Sequence, residues 1–174
     1  MFGIGNRLQM MNKFVIILGL LLPSLGISSE LYTDEQCLTA NVFFEARGES
    51  LRGMKAIADV TINRTKHSAF PENESICAVV FQPYQFSWVY GDSKRSKKVL
   101  MGDLRGFKVE DRATYEKAKQ IAIEALSEGY KLLLPSWVVS FHNTTVNPSW
   151  ASKMRYYATI GNHKFYGFKK KGNK

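Results

Sequence analysis

One short segment of this chain, residues 41–49 with the sequence NVFFEARGE, constrains the fold most. In it an apolar helical run ends in a carboxylate, Glu45, shortly before Gly48, and glycine commonly stops a helix. Leu38 and Val42 precede Glu45 by seven and three residues, which is the spacing of one helix face. The pattern therefore predicts a helix that carries Glu45 near its end, with the carboxyl group turned toward the buried side.

The predicted surroundings of Glu45 favour its protonated form. Apolar neighbours disfavour the charged carboxylate, and the negative carboxy-terminal end of a helix does the same, so both raise the pKa. Arg47 would lower the pKa if its side chain folded back. A carboxylic acid that stays protonated near neutral pH can donate a proton to the leaving oxygen of a glycosidic bond. The alternative is a solvated glutamate at a helix end, the common setting for this residue type.

Helices dominate the predicted secondary structure. The capping-box spacing of Thr33 and Gln36 begins the first helix, which is expected to reach about Arg47. Further helices are predicted over 50–64, 76–81 and 111–129, strand-like segments over 84–90 and 137–141, and an exposed loop over 91–98. The segment 160–166 is expected to close the domain. Because no internal repeat or low-complexity linker divides the chain, one domain is expected.

The first 28 residues are predicted to direct export. Arg7 and Lys13 precede an uncharged run from Phe14 to Ser29, which is shorter than the ~20 apolar residues of a spanning helix. Small residues near its end have the spacing that a signal peptidase recognises. We expect residues 1–28 to be a signal peptide, or a signal anchor that alone would contact the membrane if it stays uncleaved. The expected location is the periplasm or the extracellular cell wall.

The exported domain is expected to span residues 29–174, with its core at about 37–166, and to be strongly basic. The chain has 24 Lys and Arg against 15 Asp and Glu, a formal charge of +9, and loss of Arg7 and Lys13 leaves +7. A basic exported domain suits anionic polymers such as the bacterial cell wall. Signatures of zinc fingers, basic leucine zippers and RNA-recognition domains are missing, so nucleic acid is not an expected partner. A monomer is expected.

The cysteines and histidines leave alternatives open. Cys37 and Cys77 both lie in the exported part, where an even number permits one disulfide, while two buried free thiols are the alternative. A zinc site of His142, His163 and Glu45 could activate water. Because the sequence has no HExxH pair and no cysteine pair at finger spacing, neither a metal nor a cofactor is predicted.

Residues 85–88 are a candidate sugar-binding segment. They are Gln85, Phe86, Ser87 and Trp88. Aromatic faces beside an amide and a hydroxyl suit sugars, whose CH faces stack on rings while their hydroxyls seek polar partners. An ordinary hairpin with an aromatic core would contain the same residue types.

Glu49 is a candidate supporting residue because it follows Glu45 by four positions. On a continuous helix the two carboxylates would share a face and could divide the acid and base roles. Gly48 argues against that continuity. Glu49 is therefore expected either to cap the second helix or to orient Glu45.

In chain order these motifs resemble the SleB-type cell wall hydrolases, which include spore-cortex lytic enzymes and many phage and Gram-negative proteins. The resemblance runs from about Cys37 to Tyr166 through the segments NVFFEARGES, AIADVTINR, SICAVVFQ, QFSW, FHN, PSW and IGNHKFY. It implies an α+β, mainly helical, lysozyme-like domain. It also implies a catalytic acid at Glu45, a recurring cysteine pair, and a groove near Gln85, Phe86, Trp88, His142 and Asn143.

The resemblance further implies cleavage of peptidoglycan glycan strands between N-acetylmuramic acid and N-acetylglucosamine. Ordinary hydrolysis uses two carboxylates, whereas a lone acid that also acts as base suits a lytic transglycosylase, which leaves 1,6-anhydromuramic ends. We expect the transglycosylase. The alternatives are a metal-dependent N-acetylmuramoyl-L-alanine amidase and a non-catalytic wall-binding domain. The owner is either a bacterium remodelling its own wall or a phage that lyses its host.

Overall fold

The computed structural model describes residues 31–70 and 74–168, in which five α-helices precede a three-stranded antiparallel sheet. The predicted export segment, residues 1–28, lies outside these ranges. The elements are α1 (Asp34–Glu45), α2 (Leu51–Thr65), α3 (Ile76–Phe81), α4 (Ser93–Leu100), α5 (Val109–Leu126), β1 (Val138–Asn143), β2 (Arg155–Ile160) and β3 (His163–Gly167), with short 3-10 helices at Ser87–Val89 and Ala151–Lys153. Within the two described ranges, every helix is too short or too polar to span a bilayer.

A tight turn between α1 and α2 leaves Glu45 at a helix end. Helix α1 stops at Glu45 rather than at the predicted Arg47. Gly48 takes a left-handed φ of 86°, a conformation that glycine adopts without steric cost, and the chain reverses there. Ser50 then caps α2, because its hydroxyl accepts a hydrogen bond from the Gly53 N–H.

Helix α1 is the central element of the core. Its residues 37–43 are all buried, because α2, α3, α4 and α5 pack against it from different sides. Asn41 is polar but fully paired in this core: its amide donates to the Thr61 hydroxyl at 2.9 Å, and its carbonyl accepts from the Trp88 indole N–H at 3.0 Å. These bonds tie α2 and the first 3-10 helix to α1.

The chain between α3 and α5 differs from the prediction. Residues 84–90 were predicted to be strand-like but contain the 3-10 helix Ser87–Val89, and the predicted loop 91–98 is mostly helix α4. Helix α4 is capped by Asp92 and buries Val99 and Leu100. Six of its eight residues are polar or basic, which is the composition that suggested an exposed loop.

The end of α2 holds the sheet in place. β3 lies between β1 and β2 and pairs antiparallel with both. The Asn63 amide donates to the Val138 carbonyl at 2.9 Å, and the Arg64 Nε donates to the Val139 carbonyl at 2.8 Å. β1 lies close to the predicted strand 137–141, and β3 overlaps the segment 160–166 that was expected to close the domain. β2 was missed, because five of its six residues are not buried and their sequence does not alternate.

A disulfide joins Cys37 of α1 to Cys77 of α3. Of the two alternatives that the sequence left open, the bonded pair is therefore correct. The bond links positions 40 residues apart and stabilises the fold mainly by restricting the unfolded chain. It also fixes α3, and with it the segment that follows α3, against the helix that carries Glu45.

Candidate active site

The Glu45 side chain lines a cleft of about 610 Å³ between the helical core and the sheet. Five parts of the chain form its walls: the end of α1, the end of α2, the segment 84–90, the end of β1, and the start of β3. The lining residues are Glu45, Arg64, Tyr84, Gln85, Phe86, Ser87, Tyr90, Phe141, His142, Asn143 and His163. The structure thus brings together residues that lie up to about 120 positions apart in the chain.

Burial raises the pKa of Glu45 from its ordinary 4.5 to about 7, and the nearby Arg64 guanidinium opposes this rise. The predicted direction of the shift agrees with the structure. The opposing cation is Arg64 and not Arg47, because the Arg47 guanidinium pairs with Asp111 instead. Glu45 is therefore a carboxylic acid that holds its proton to about neutral pH.

Arg64 is a fixed cation beside Glu45. Its side chain is buried, its Nε is bonded to β1, and its guanidinium lies 5.2 Å and 5.1 Å from the ring centres of Phe70 and Phe86. Burial lowers the pKa of Arg64 to about 10 and Glu45 raises it, so the group stays charged at neutral pH. This role has no local signal in the sequence, in which Arg64 is an ordinary last-turn residue of α2.

Glu49 contacts the turn between β2 and β3 and is not among the residues that line the cleft. Its two carboxylate oxygens accept from the Asn162 N–H at 3.2 Å and 3.3 Å, and one lies 3.5 Å from Nδ1 of His163. The expectation that Glu49 caps α2 is wrong, because Ser50 is the cap. Glu45 is not among the described hydrogen-bond or ion-pair partners of Glu49 either. A Cβ at Gly161 would meet Glu49 Oε2 at 1.8 Å, so a larger residue there would displace the carboxylate.

His163 forms the link between Glu49 and the cleft. Its Nδ1 is buried and faces the Glu49 carboxylate, while the ring lines the cleft beside Phe141. Burial lowers its pKa, the Glu49 charge raises it, and His142 lowers it. In the sequence, the surroundings of His163 suit a hydrogen-bonding role, but nothing local signals its contact with Glu49, which lies 114 residues earlier.

His142 and Asn143, predicted to lie near the site, line the cleft at the end of β1. Nδ1 of His142 donates to the Asn143 carbonyl at 2.8 Å, so the neutral ring accepts at Nε2 from the Tyr166 hydroxyl at 3.0 Å. Both ring nitrogens therefore have protein partners. Across residues 31–70 and 74–168, no group of three His, Cys, Asp or Glu side chains is arranged to hold a metal ion.

The predicted sugar-binding segment divides into two parts. Gln85, Phe86 and Ser87 line the cleft as expected. Trp88 does not: its ring is buried and stacks on Phe44 with the ring centres 4.8 Å apart, and its N–H is bonded to Asn41. The prediction for Trp88 is wrong, because the 3-10 helix turns the indole into the core.

Within the described residues, the fold and the cleft define a class of protein: an α+β, mainly helical domain in which Glu45, a carboxylic acid of raised pKa, faces an open cleft. The chain belongs to the cell wall hydrolase family, whose model matches residues 48–166. That stretch begins three residues after Glu45. The predictions of a SleB-type cell wall hydrolase, of an enzyme that acts on peptidoglycan, and of an α+β, mainly helical fold are confirmed.

Two solved structures resemble this chain. One is the catalytic domain of the germination-specific lytic transglycosylase SleB from Bacillus anthracis, with 25% identity and a TM-score of 0.54, over 76% of this chain and 93% of that one. The other is the catalytic domain of the Bacillus cereus SleB protein, with 24% identity and a TM-score of 0.52, over 78% of this chain and 91% of that one. None of the curated proteins matches the chain.

Proposed function

We propose that this protein is a lytic transglycosylase that cleaves peptidoglycan between N-acetylmuramic acid and N-acetylglucosamine and leaves 1,6-anhydromuramic ends. One observation carries the proposal. Among the described residues that line the cleft, Glu45 is the one carboxylic acid, and its pKa is raised to about 7. Hydrolysis with two carboxylates requires a second one about 5–9.5 Å away. Glu49, the nearest candidate in sequence, faces the β2–β3 turn instead.

The proposed reaction uses Glu45 twice. First the protonated carboxyl gives its proton to the bridging oxygen, the bond from that oxygen to C1 of the muramic sugar breaks, and positive charge develops on the sugar ring. The Glu45 carboxylate then removes the proton from the muramic 6-hydroxyl, whose oxygen bonds to C1. The proton thereby returns to Glu45, and water takes no part. Arg64 stabilises the carboxylate between the two steps.

Product analysis tests this reaction directly. Purified peptidoglycan digested in heavy-oxygen water is expected to yield anhydro-muropeptides without the heavy isotope, each lighter by one water than the hydrolysis product. Mass spectrometry distinguishes the outcomes. Reducing ends that carry heavy oxygen would show hydrolysis instead, and freed stem peptides would show an amidase. Either result contradicts the proposal.

Glu49 is proposed to position His163 for contact with the glycan. A Glu49→Gln variant is expected to lower kcat/KM about tenfold, or about 1.4 kcal/mol, since the 3.5 Å contact between the carboxylate and His163 Nδ1 would lose the attraction of the negative charge. Because the Glu49 charge raises the pKa of His163, the variant is also expected to titrate His163 at lower pH. Activity assays and an NMR titration of the His163 ring measure the two effects.

The matched control for Glu49 is Glu124→Gln, which removes the same charge from an exposed pair with Lys55. That variant is expected to keep both the activity and the His163 titration. A Glu49→Gln protein with parental kcat/KM and an unmoved His163 pKa would show that Glu49 only braces the β2–β3 turn.

We also propose that residues 1–28 export the domain 29–174, which acts in the periplasm or cell wall as a monomer. The Cys37–Cys77 disulfide supports export, because such bonds persist in oxidising compartments. The basic charge of the chain supports attraction to the anionic wall.

A further inference from the structure

Tyr84 has a backbone conformation that its side chain disfavours. Among the described residues other than glycine, it is the one with a positive φ, at 64°. A β-carbon is crowded in this left-handed region, which suits glycine and asparagine far better than tyrosine. The side chain is also 95% exposed, so burial in the core does not compensate for the strain. Such strain is retained at positions where it serves a site.

Tyr84 stands at the cleft together with a second exposed tyrosine. The Tyr90 side chain is 60% exposed, and the two rings are stacked with their centres 6.2 Å apart and their planes 25° apart. Both residues line the cleft that contains Glu45. Gln85 and Ser87, which lie between them in the chain, line the same cleft and supply an amide and a hydroxyl.

We propose that Tyr84 and Tyr90 form a stacking platform for an N-acetylated sugar ring of the glycan strand, away from the bond that is cleaved. The CH face of a pyranose ring packs on an aromatic face, and its hydroxyl and acetamido groups hydrogen-bond to neighbouring amides and hydroxyls. The left-handed turn at Tyr84 presents its ring to solvent beside Tyr90. This assignment rests on the proposed function, since it takes the glycan strand as the ligand of the cleft.

The platform predicts that stability and binding respond differently to one substitution. In Tyr84→Asn the strained position receives a residue that tolerates it, so the melting temperature is expected to stay the same or rise. Loss of the stacked ring is expected to weaken glycan binding roughly fivefold to tenfold. A purely structural tyrosine would instead lose stability when replaced.

Binding is measured in the Glu45→Gln protein, which is expected to bind without cleaving. The probe is a peptide-free glycan strand of peptidoglycan, titrated by calorimetry, with melting temperatures recorded alongside. Adding Tyr84→Asn or Tyr90→Ala is expected to raise Kd, whereas adding Tyr84→Phe keeps the ring and should change Kd less than about twofold. Tyr157→Ala is the control, because this exposed tyrosine lies on β2 and lines a different depression.

The outcomes separate the platform from the function on which it rests. Unchanged Kd in both Tyr84→Asn and Tyr90→Ala would overturn the platform and leave the proposed function intact. A lower melting temperature of Tyr84→Asn with unchanged binding would assign Tyr84 a structural role. Failure of the Glu45→Gln protein itself to bind the glycan strand would overturn both. Reducing ends in the product analysis would change the proposed chemistry without affecting the platform.

Discussion

A Glu45→Gln protein is expected to lose at least about 10³-fold of its turnover on peptidoglycan while it keeps its fold, because general acid–base catalysis contributes roughly 10²–10⁴-fold for each group. The amide has nearly the same shape as the protonated carboxyl that burial favours here. It can neither give a proton to the glycosidic oxygen nor take one from the muramic hydroxyl. Both proposed steps therefore fail together.

Release of soluble muropeptides from purified peptidoglycan measures this loss, and Glu124→Gln serves as a control that removes an exposed carboxylate outside the cleft. The pH dependence gives a second readout on the parent protein. Since Glu45 must begin protonated, and its pKa is about 7, kcat/KM is expected to fall above that pH. Parental activity in the Glu45→Gln protein would mean that a different acid carries the reaction, whereas absence of muropeptide release by both proteins would favour the non-catalytic wall-binding domain.

Arg64 explains how one group can serve both steps. Burial without a nearby cation raises the pKa of a carboxyl group, but it also destabilises the carboxylate that remains after the proton is transferred. Desolvation raises the pKa of Glu45, and the Arg64 guanidinium lowers it. The guanidinium itself remains charged, since its own pKa stays near 10. Its bond to β1 and its two ring contacts hold it in position. The site therefore needs little rearrangement when the charge on Glu45 changes.

The parts of the fold that the sequence predicted well are those with strong local signals. The capping box of Thr33 and Gln36 begins α1 as expected. Hydrophobic periodicity located α2 and α5, and a short apolar run before Pro83 located α3. The same periodicity placed Glu45 on the inward side of its helix near a stop. Because burial is the main cause of its raised pKa, the direction of that shift could be inferred from helix geometry alone.

The parts that the sequence did not predict depend on contacts between distant residues. The aromatic segment near Trp88 has strand-like composition, but bonding of the indole to Asn41 and stacking on Phe44 favour a 3-10 helix there. The approach of Glu49 to His163 requires the β2–β3 turn to return to the start of α2. No local pattern encodes that return, so local signals located the proposed acid better than the residues around it.

The free energy of unfolding is expected to fall as pH rises, and Glu45 is expected to cause a measurable part of that fall. Its pKa is about 7 in the folded protein, against 4.5 as the ordinary value. Between these two pH values the native state binds more protons than the unfolded state, so unfolding becomes easier with increasing pH. At 1.36 kcal/mol for each pH unit, the loss attributable to Glu45 is about 3 kcal/mol and is complete above pH 7.

Glutamine at position 45 removes this titration, so the difference between the Glu45→Gln and parent proteins isolates it. The variant is expected to be about 3 kcal/mol more stable than the parent at pH 8, and the advantage should shrink to near zero by about pH 4.5. Urea unfolding of both proteins across this range measures the difference. Other shifted groups, such as Asp59 and His163, are present in both proteins and largely cancel. A stability difference that does not change with pH would mean that Glu45 titrates alike in the folded and unfolded chain, which would remove the physical basis for its role as the proton donor.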